Sequence, residues 1–310
     1  MGGGGSGYFY GRVDPEDLAR KVKASESSAS NAAFEASVNE ILSQALGEAN
    51  NRDVAGVQRI LNKIEQDIAT EFEGAVEILF GGSVAKKTHI EGLSDIDALV
   101  LLNHSQISGE TPHDVRSIFV EKLQTRFGYD AVSQGQLAVT VKIEGMVIQL
   151  LPAMREGDRF KISNNAGTAW SSIHPRKFAE KLVASNKDMG GKLIPTIKLA
   201  KSIIYELPEQ QRLSGYHCEA LAIKTFSDYS GKRTLKDMLR YFFENASKHI
   251  LSPIKDSTRQ SIHVDDYLGA EGSLQRRIAS DALGRIGRKI ANADAANSPE
   301  LWKDIIGFGQ

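Results

Sequence analysis

The residues best suited to chemistry lie in one stretch: Gly81-Gly82-Ser83, then Lys86-Lys87-Thr88, then Gly92-Leu93-Ser94-Asp95-Ile96-Asp97. Gly82 lets the backbone approach a ligand closely and Ser83 adds a hydroxyl donor, a pairing that suits a phosphate oxygen. Asp95 and Asp97 stand two apart in a strand-like run, so both belong to one face of an extended strand while Ile96 faces the core. Paired hard oxygen ligands suit Mg2+ or Mn2+, which take one or two carboxylates together with substrate phosphates. The combination is an arrangement for phosphoryl or nucleotidyl transfer. A GGS turn or a D-x-D pair alone is common on solvated loops. The two together, about a dozen residues apart between apolar runs, carry the expectation.

These residues need a sheet to hold them. Val76 to Leu79 and Ile96 to Leu102 read as strands, and Ala138 to Ile143 with Met146 to Leu151 read as a hairpin turning at Glu144-Gly145. Helical spacing predicts helices at Glu16–Ala24, Asn31–Glu48 and Asp53–Phe72, the last capped by Asp53, with another at Pro112–Phe127. Beyond Pro152 the chain is expected to be mainly helical, at His174–Asn186, Lys192–Glu206, Tyr216–Ser227, Leu235–Ala246 and Ser273–Asp294. The expected layout is a Gly-rich arm (1–14), an α/β lobe with N-terminal helices (15–152) and a helical lobe (153–310) that completes a cleft.

The bulk composition limits the alternatives. With 310 residues, 41% hydrophobic and 25% charged, the chain is globular and large enough for two domains. One cysteine, Cys218, permits no internal disulfide and agrees with a cytoplasmic setting. The N-terminus shows no basic segment followed by an apolar one, and no run is long enough to span a bilayer, so no membrane partner is expected. The formal charge of -1, from 38 basic and 39 acidic residues, argues against a protein that coats nucleic acid electrostatically. His217 beside Cys218, with His249 and His263 far off, makes no zinc spacing. Neither a G-x-S-x-G elbow nor a Walker phosphate loop occurs.

The hG[GS] and DhD motifs at this spacing resemble those of the DNA polymerase β-like nucleotidyltransferases. Later segments resemble the CD-NTase branch, the bacterial relatives of cyclic GMP-AMP synthase and oligoadenylate synthetase. These are Pro152-Ala153, Lys192 to Lys201, Leu213-Ser214-Gly215-Tyr216-His217, and Asp256 to Leu268 with His263-Val264-Asp265-Asp266. The resemblance covers about residues 30 to 295 and implies an α+β bilobed fold, a mixed-sheet nucleotidyltransferase lobe packed against a helical C-terminal lobe. It further implies that Gly82 and Ser83 contact the donor triphosphate and that Asp95 and Asp97 bind metal. By the same resemblance Lys201 reaches the phosphates, Ser214 hydrogen-bonds phosphate or base, and Tyr216 stacks on the base. Read without it, Lys201 is a solvated helix lysine and Tyr216 a core aromatic.

One position departs from the pattern. The family's third carboxylate belongs on the hairpin strand before the Pro-Ala pair, in the form h-D-h-h-P-A, and here that strand carries Gln149. A neutral amide supplies neither the charge nor the proton affinity of a carboxylate. Glu144, across the hairpin, reads as a solvated turn residue. Gln149 leaves three readings open: an enzyme working with two carboxylates, a nucleotide-binding protein that has lost catalysis, or a residue introduced in place of the natural one. The resemblance implies synthesis of a cyclic or linear oligonucleotide that signals phage infection to an effector protein, without activation by duplex nucleic acid. The competing expectations are a nucleotide-binding sensor or regulatory protein, and nucleotidyl transfer to a macromolecular or self hydroxyl such as Ser6, Tyr8 or Tyr10.

Overall fold

The computed structural model describes residues 15–50, 54–72, 77–80, 96–103, 109–135, 138–164, 167–173, 175–254 and 265–307. Within these, helices α1 (Pro15–Asn50) and α2 (Val54–Glu71) precede strands β1 (Glu77–Phe80) and β2 (Ile96–Leu101). Helix α3 (Pro112–Phe127) follows, then β3 (Val132–Gln134), β4 (Val139–Ile143), β5 (Met146–Glu156), β6 (Arg159–Ser163) and β7 (Trp170–Ile173). The rest is helical: α4 (Pro175–Asp188), α5 (Leu193–Tyr205), α6 (Gly215–Thr225), α7 (Leu235–His249), α8 (Leu274–Ala295) and α9 (Pro299–Ile306). The molecule is α+β, with one apolar core built on the sheet and another among helices.

The strand order is β1-β2-β5-β4-β3, with β6 added to the far half of β5 and β7 to β6. Among the described strand pairs only β2 and β5 run parallel. Alternation along these strands separates two faces. Ala98, Val100, Ile148 and Leu150 join Ile60, Ile64, Ile68 and Phe72 of α2 and Val115, Phe119 and Leu123 of α3 in one core. Ile64 and Ile68 are wholly buried, each contributing about 1.5–3 kcal/mol of apolar transfer. Lys122 Nζ donates to the Glu71 carbonyl at 2.6 Å, and Arg126 pairs with Asp67, so α2 and α3 are tied together by polar contacts as well. On the opposite face Leu99, Leu101 and Ala153 pack with Phe160 and Ile162.

Helix α3 starts where its sequence says it should. The Thr111 hydroxyl accepts from the Asp114 N–H, Pro112 occupies the first turn, and Gly128 ends the helix at φ 93°.

The structure differs from the expected elements in several places. The two N-terminal segments are one helix, α1, because the Ser- and Ala-rich stretch between them contains no breaker. The sheet continues past Pro152: β5 runs to Glu156, turns at Gly157 (φ 62°) and Asp158, and returns as β6. Pro152 sits after the last β4 partner, Leu150, and before the first β6 partner, Ala153, a break where a missing N–H is tolerated. Finally α1 buries Phe34, Val38, Leu42 and Leu46 in the helical core with α5 and α7, whereas α2 packs on the sheet. Asp53, expected to cap α2, lies outside the described residues.

Candidate functional site

The strand register brings two of the expected site positions side by side. Asp97 is the Cα partner of Gln149, and Gln149 is in turn the partner of Thr140 on β4. In-register neighbours share a face. This is the Leu99 and Ala153 face, opposite the one that α2 and α3 cover. Position 149 is therefore the β5 neighbour of Asp97, and it holds a half-buried amide. Gly82, Ser83 and Asp95 lie outside the described residues, as does the side chain of Asp97.

Glu144 does not substitute for a carboxylate there. At φ 49° in the turn, it is tied to α2 by Lys63 at 3.0 Å and Arg59 at 3.7 Å, on the helix-covered side of the sheet. The Lys63 hydrogen bond holds its carboxyl below the usual range. Among the described residues no three His, Cys, Asp or Glu side chains gather to hold a metal ion.

The helical contribution centres on the start of α6. Ser214 has extended backbone and caps the helix, its hydroxyl accepting from the His217 N–H at 3.2 Å. Lys201 is buried rather than solvated, and its Nζ lies 2.7 Å from Oε1 of the fully buried Glu219. A Cβ at Gly215 would lie only 3.3 Å from that Nζ, so the glycine lets the ammonium lie against the first turn of α6. Lys201, Gly215 and Ser214 are thus one neighbourhood. Tyr216 packs its ring on Phe178 of α4, centroids 4.5 Å apart, and stays partly exposed.

Behind this turn lies a polar network that sequence reading did not anticipate. The Tyr267 hydroxyl accepts from the Ser214 N–H at 3.2 Å and lies 2.8 Å from His217 Nδ1. His217 Nε2 has no hydrogen-bond partner among the described residues and faces Asp265 Oδ2 at 4.0 Å. Asp265 and Arg276 form an ion pair at 2.7 Å, each 1% exposed, and Asp265 also accepts from the Ile254 N–H. Burial lowers the His217 pKa to about 4, so the imidazole is neutral at physiological pH. The signal available in the sequence was Asp265, in a segment noted only for its resemblance, and an arginine at 276 inside an apolar helix pattern. His263 of that segment lies outside the described residues.

Among the described residues, surface hollows also lie elsewhere. One, about 590 Å³, is lined by Leu251, Glu271, Arg277 and Asp281; another, about 470 Å³, lies between Phe34, Lys232, Arg240 and Asp294. Neither touches Gln149, Lys201, Ser214 or Tyr216.

Comparison with known proteins bears on the fold. Residues 36–186 match the family model of the Second Messenger Oligonucleotide or Dinucleotide Synthetase domain. The structure of E. coli MS115-1 CdnC with ATP aligns at TM-score 0.64 and 16% identity, covering 88% of this chain and 98% of that one. The Bradyrhizobium diazoefficiens CD-NTase CdnG in complex with GTP aligns at TM-score 0.65 and 12% identity, over 87% and 97% of the two chains. Escherichia coli DncV in its 3'-deoxy GTP bound form aligns at TM-score 0.61 and 14% identity, over 96% and 92%. At these identities the structural matches speak for the fold. No curated protein matches the sequence. Domain match and fold agree: residues 36–186 match the Second Messenger Oligonucleotide or Dinucleotide Synthetase domain, and the chain has the fold of the CD-NTase structures.

Proposed function

We propose that this protein binds a nucleoside triphosphate through Gly82 and Ser83 together with Lys201, Ser214 and Tyr216. There it transfers the nucleotidyl group to a hydroxyl of a second nucleotide, releasing pyrophosphate. The product is a cyclic or linear oligonucleotide second messenger, used in antiphage defence to signal to an effector protein. Support comes from the domain match together with the arrangement at the start of α6, where Ser214, Gly215 and Lys201 Nζ adjoin. A helix N-terminus with an ammonium beside it favours a polyphosphate. Lys201 serves that role only by sharing its charge with Glu219, so phosphate binding competes with an existing ion pair.

The donor set fits a divalent cation with reduced strength. Asp95 and Asp97 would hold Mg2+ or Mn2+, which would neutralise charge developing on the phosphate oxygens. Gln149 contributes a neutral oxygen where a third carboxylate would complete the set. The register of Asp97 with Gln149 favours a second reading, a nucleotide-binding protein with impaired catalysis.

One experiment separates the two. Purified protein is incubated with the four ribonucleoside triphosphates and Mg2+ or Mn2+, and phosphatase-resistant products are resolved for the wild type, Gln149→Asp and Asp97→Asn. Turnover by the wild type that disappears in Asp97→Asn identifies a working two-carboxylate enzyme. Nucleotide binding without turnover, with Gln149→Asp gaining about 10²–10⁴-fold, identifies a site short of one carboxylate. No binding and no gain in any variant refutes the proposal.

A further inference from the structure

The start of α6 is held from behind by a series of side chains that reaches from helix α8 to the backbone of Ser214. Arg276 of α8 is 1% exposed and directs its guanidinium to Asp265 and to the carbonyls of Ile250 and Gly269, at 2.7, 3.0 and 2.9 Å. Asp265 is thereby fixed facing His217. His217 lies fully buried on α6, and its other ring nitrogen meets the Tyr267 hydroxyl, which also receives the Ser214 N–H.

Donor and acceptor matching allows one coherent pattern. The Tyr267 oxygen accepts from Ser214, so its single proton is available to His217 Nδ1. Nδ1 then accepts, which leaves the proton of the neutral imidazole on Nε2, directed at the Asp265 carboxylate. The opposite tautomer would set a lone pair against that carboxylate and strand the hydroxyl proton. At 4.0 Å the Nε2 contact is too long for a hydrogen bond. Among the described residues the network is therefore hydrogen-bonded up to His217 and stops short of a bond at its Nε2.

We infer that Tyr267, through its hydroxyl, is a positioning residue that sets the backbone of Ser214 for the nucleotide phosphates, with His217, Asp265 and Arg276 as its support. The inference rests on the proposed nucleotide site and adds residues to it. None of these supporting side chains needs to touch the ligand. Tyr267, 44% exposed, orients the Ser214 turn through its hydroxyl, while its ring packs edge-on against the buried His217 ring at 5.7 Å. The Ser214 N–H lies at a helix start, where donors without intrahelical partners can point in several directions. Its bond to Tyr267 leaves the next amides in one fixed orientation.

Tyr267→Phe removes the hydroxyl and keeps the ring. Two quantities are read in wild type and variant: dissociation constants for the four ribonucleoside triphosphates, and exchange rates of the amides at residues 213–217 without nucleotide. Gly128→Ala, at the end of α3, supplies a control with lowered global stability and an untouched network. The expected result is a Ser214 amide that exchanges at least 10-fold faster in Tyr267→Phe and a triphosphate affinity about 5- to 10-fold weaker, with neither change in Gly128→Ala. Asp265→Asn, which keeps an oxygen for the Ile254 amide, is expected to shift both in the same direction. Unchanged affinity in Tyr267→Phe overturns the inference and leaves the nucleotide site standing. Equal weakening in Gly128→Ala overturns it as well, because the effect would then be global. Absence of triphosphate binding by the wild type removes the site itself and this role with it.

Discussion

Gln149 and His217 show how far a single residue type can be read. The motif spacing located position 149, and the sheet then made it the register neighbour of Asp97. What no spacing reveals is how a side chain's surroundings set its protonation. His217 resembled an ordinary helix residue, yet it is fully buried and its pKa falls to about 4 because desolvation opposes the imidazolium more than Asp265 favours it. An unfolded histidine titrates near 6.5. Above that pH both states are neutral and His217 adds no pH dependence. Between about 6.5 and 4 the unfolded chain takes up a proton that the folded one refuses, so stability falls as the pH drops. The loss integrates to an order of 3 kcal/mol, using about 1.4 kcal/mol per pKa unit. Urea unfolding at pH 7.5, 6, 5 and 4.5 is expected to show this slope in the wild type and a shallower one in His217→Gln. Parallel slopes would mean that His217 is protonated in the folded protein.

At the scale of elements, helices with apolar residues every three or four positions were legible, α3 and α5 to within a residue or two. Elements without that signal were not. Strand β3 has three residues, β6 alternates over only five, and β7 is four residues, Trp170-Ser171-Ser172-Ile173, with no alternation. Helix α9 is only eight residues long and is anchored by Trp302, fully buried, with Nε1 donating to Asp294 at 3.1 Å. The candidate site was legible as motifs, because glycine, serine and paired aspartates are sparse and specific. Its supports at Glu219, Tyr267 and Arg276 were not, since burial decides their role and burial is a tertiary property. Two glycines make the local physics testable with opposite signs. Gly128 ends α3 at φ 93° and ψ 150°, a region that side chains disfavour, so Gly128→Ala should cost about 1–3 kcal/mol. Gly47 lies within α1, and a Cβ added there would meet nothing within 4 Å among the described residues, so Gly47→Ala should add about 0.5–1 kcal/mol by lowering unfolded-state entropy. Denaturant midpoints for the two variants should move in opposite directions, and movement in the same direction would contradict the assigned backbone conformations.

For the whole molecule, the question is what a helix of 36 residues does when half of it is buried by none of the described residues. Residues 16–33 of α1 are exposed, while Phe34, Val38, Leu42 and Leu46 enter the helical core. The docked half is clasped by charge as well as apolar area. Lys236 of α7, 4% exposed, meets Glu35 of α1 at 2.7 Å and Asp294 of α8 at 3.1 Å, and its Nζ lies 5.2 Å from the Phe34 ring centroid. Asp294 also binds Arg240 and the Trp302 indole, so one carboxylate joins α7, α8 and α9 at the place where α1 docks. Stability and the exposed length of α1 should therefore be separable. Deleting residues 1–30 removes no side chain of the described cores and is expected to leave the thermal midpoint within about 2 °C of the full chain. Leu42→Ala, which empties a fully buried position, should cost about 2–5 kcal/mol. Because Leu42 belongs to the helical core and the Asp97 and Gln149 positions to the sheet, its loss should expose α5 to α9 to hydrogen exchange before β2 and β5. A large loss on deleting residues 1–30 would mean that the exposed half of α1 is buried in solution, against another surface of the molecule or against a second copy.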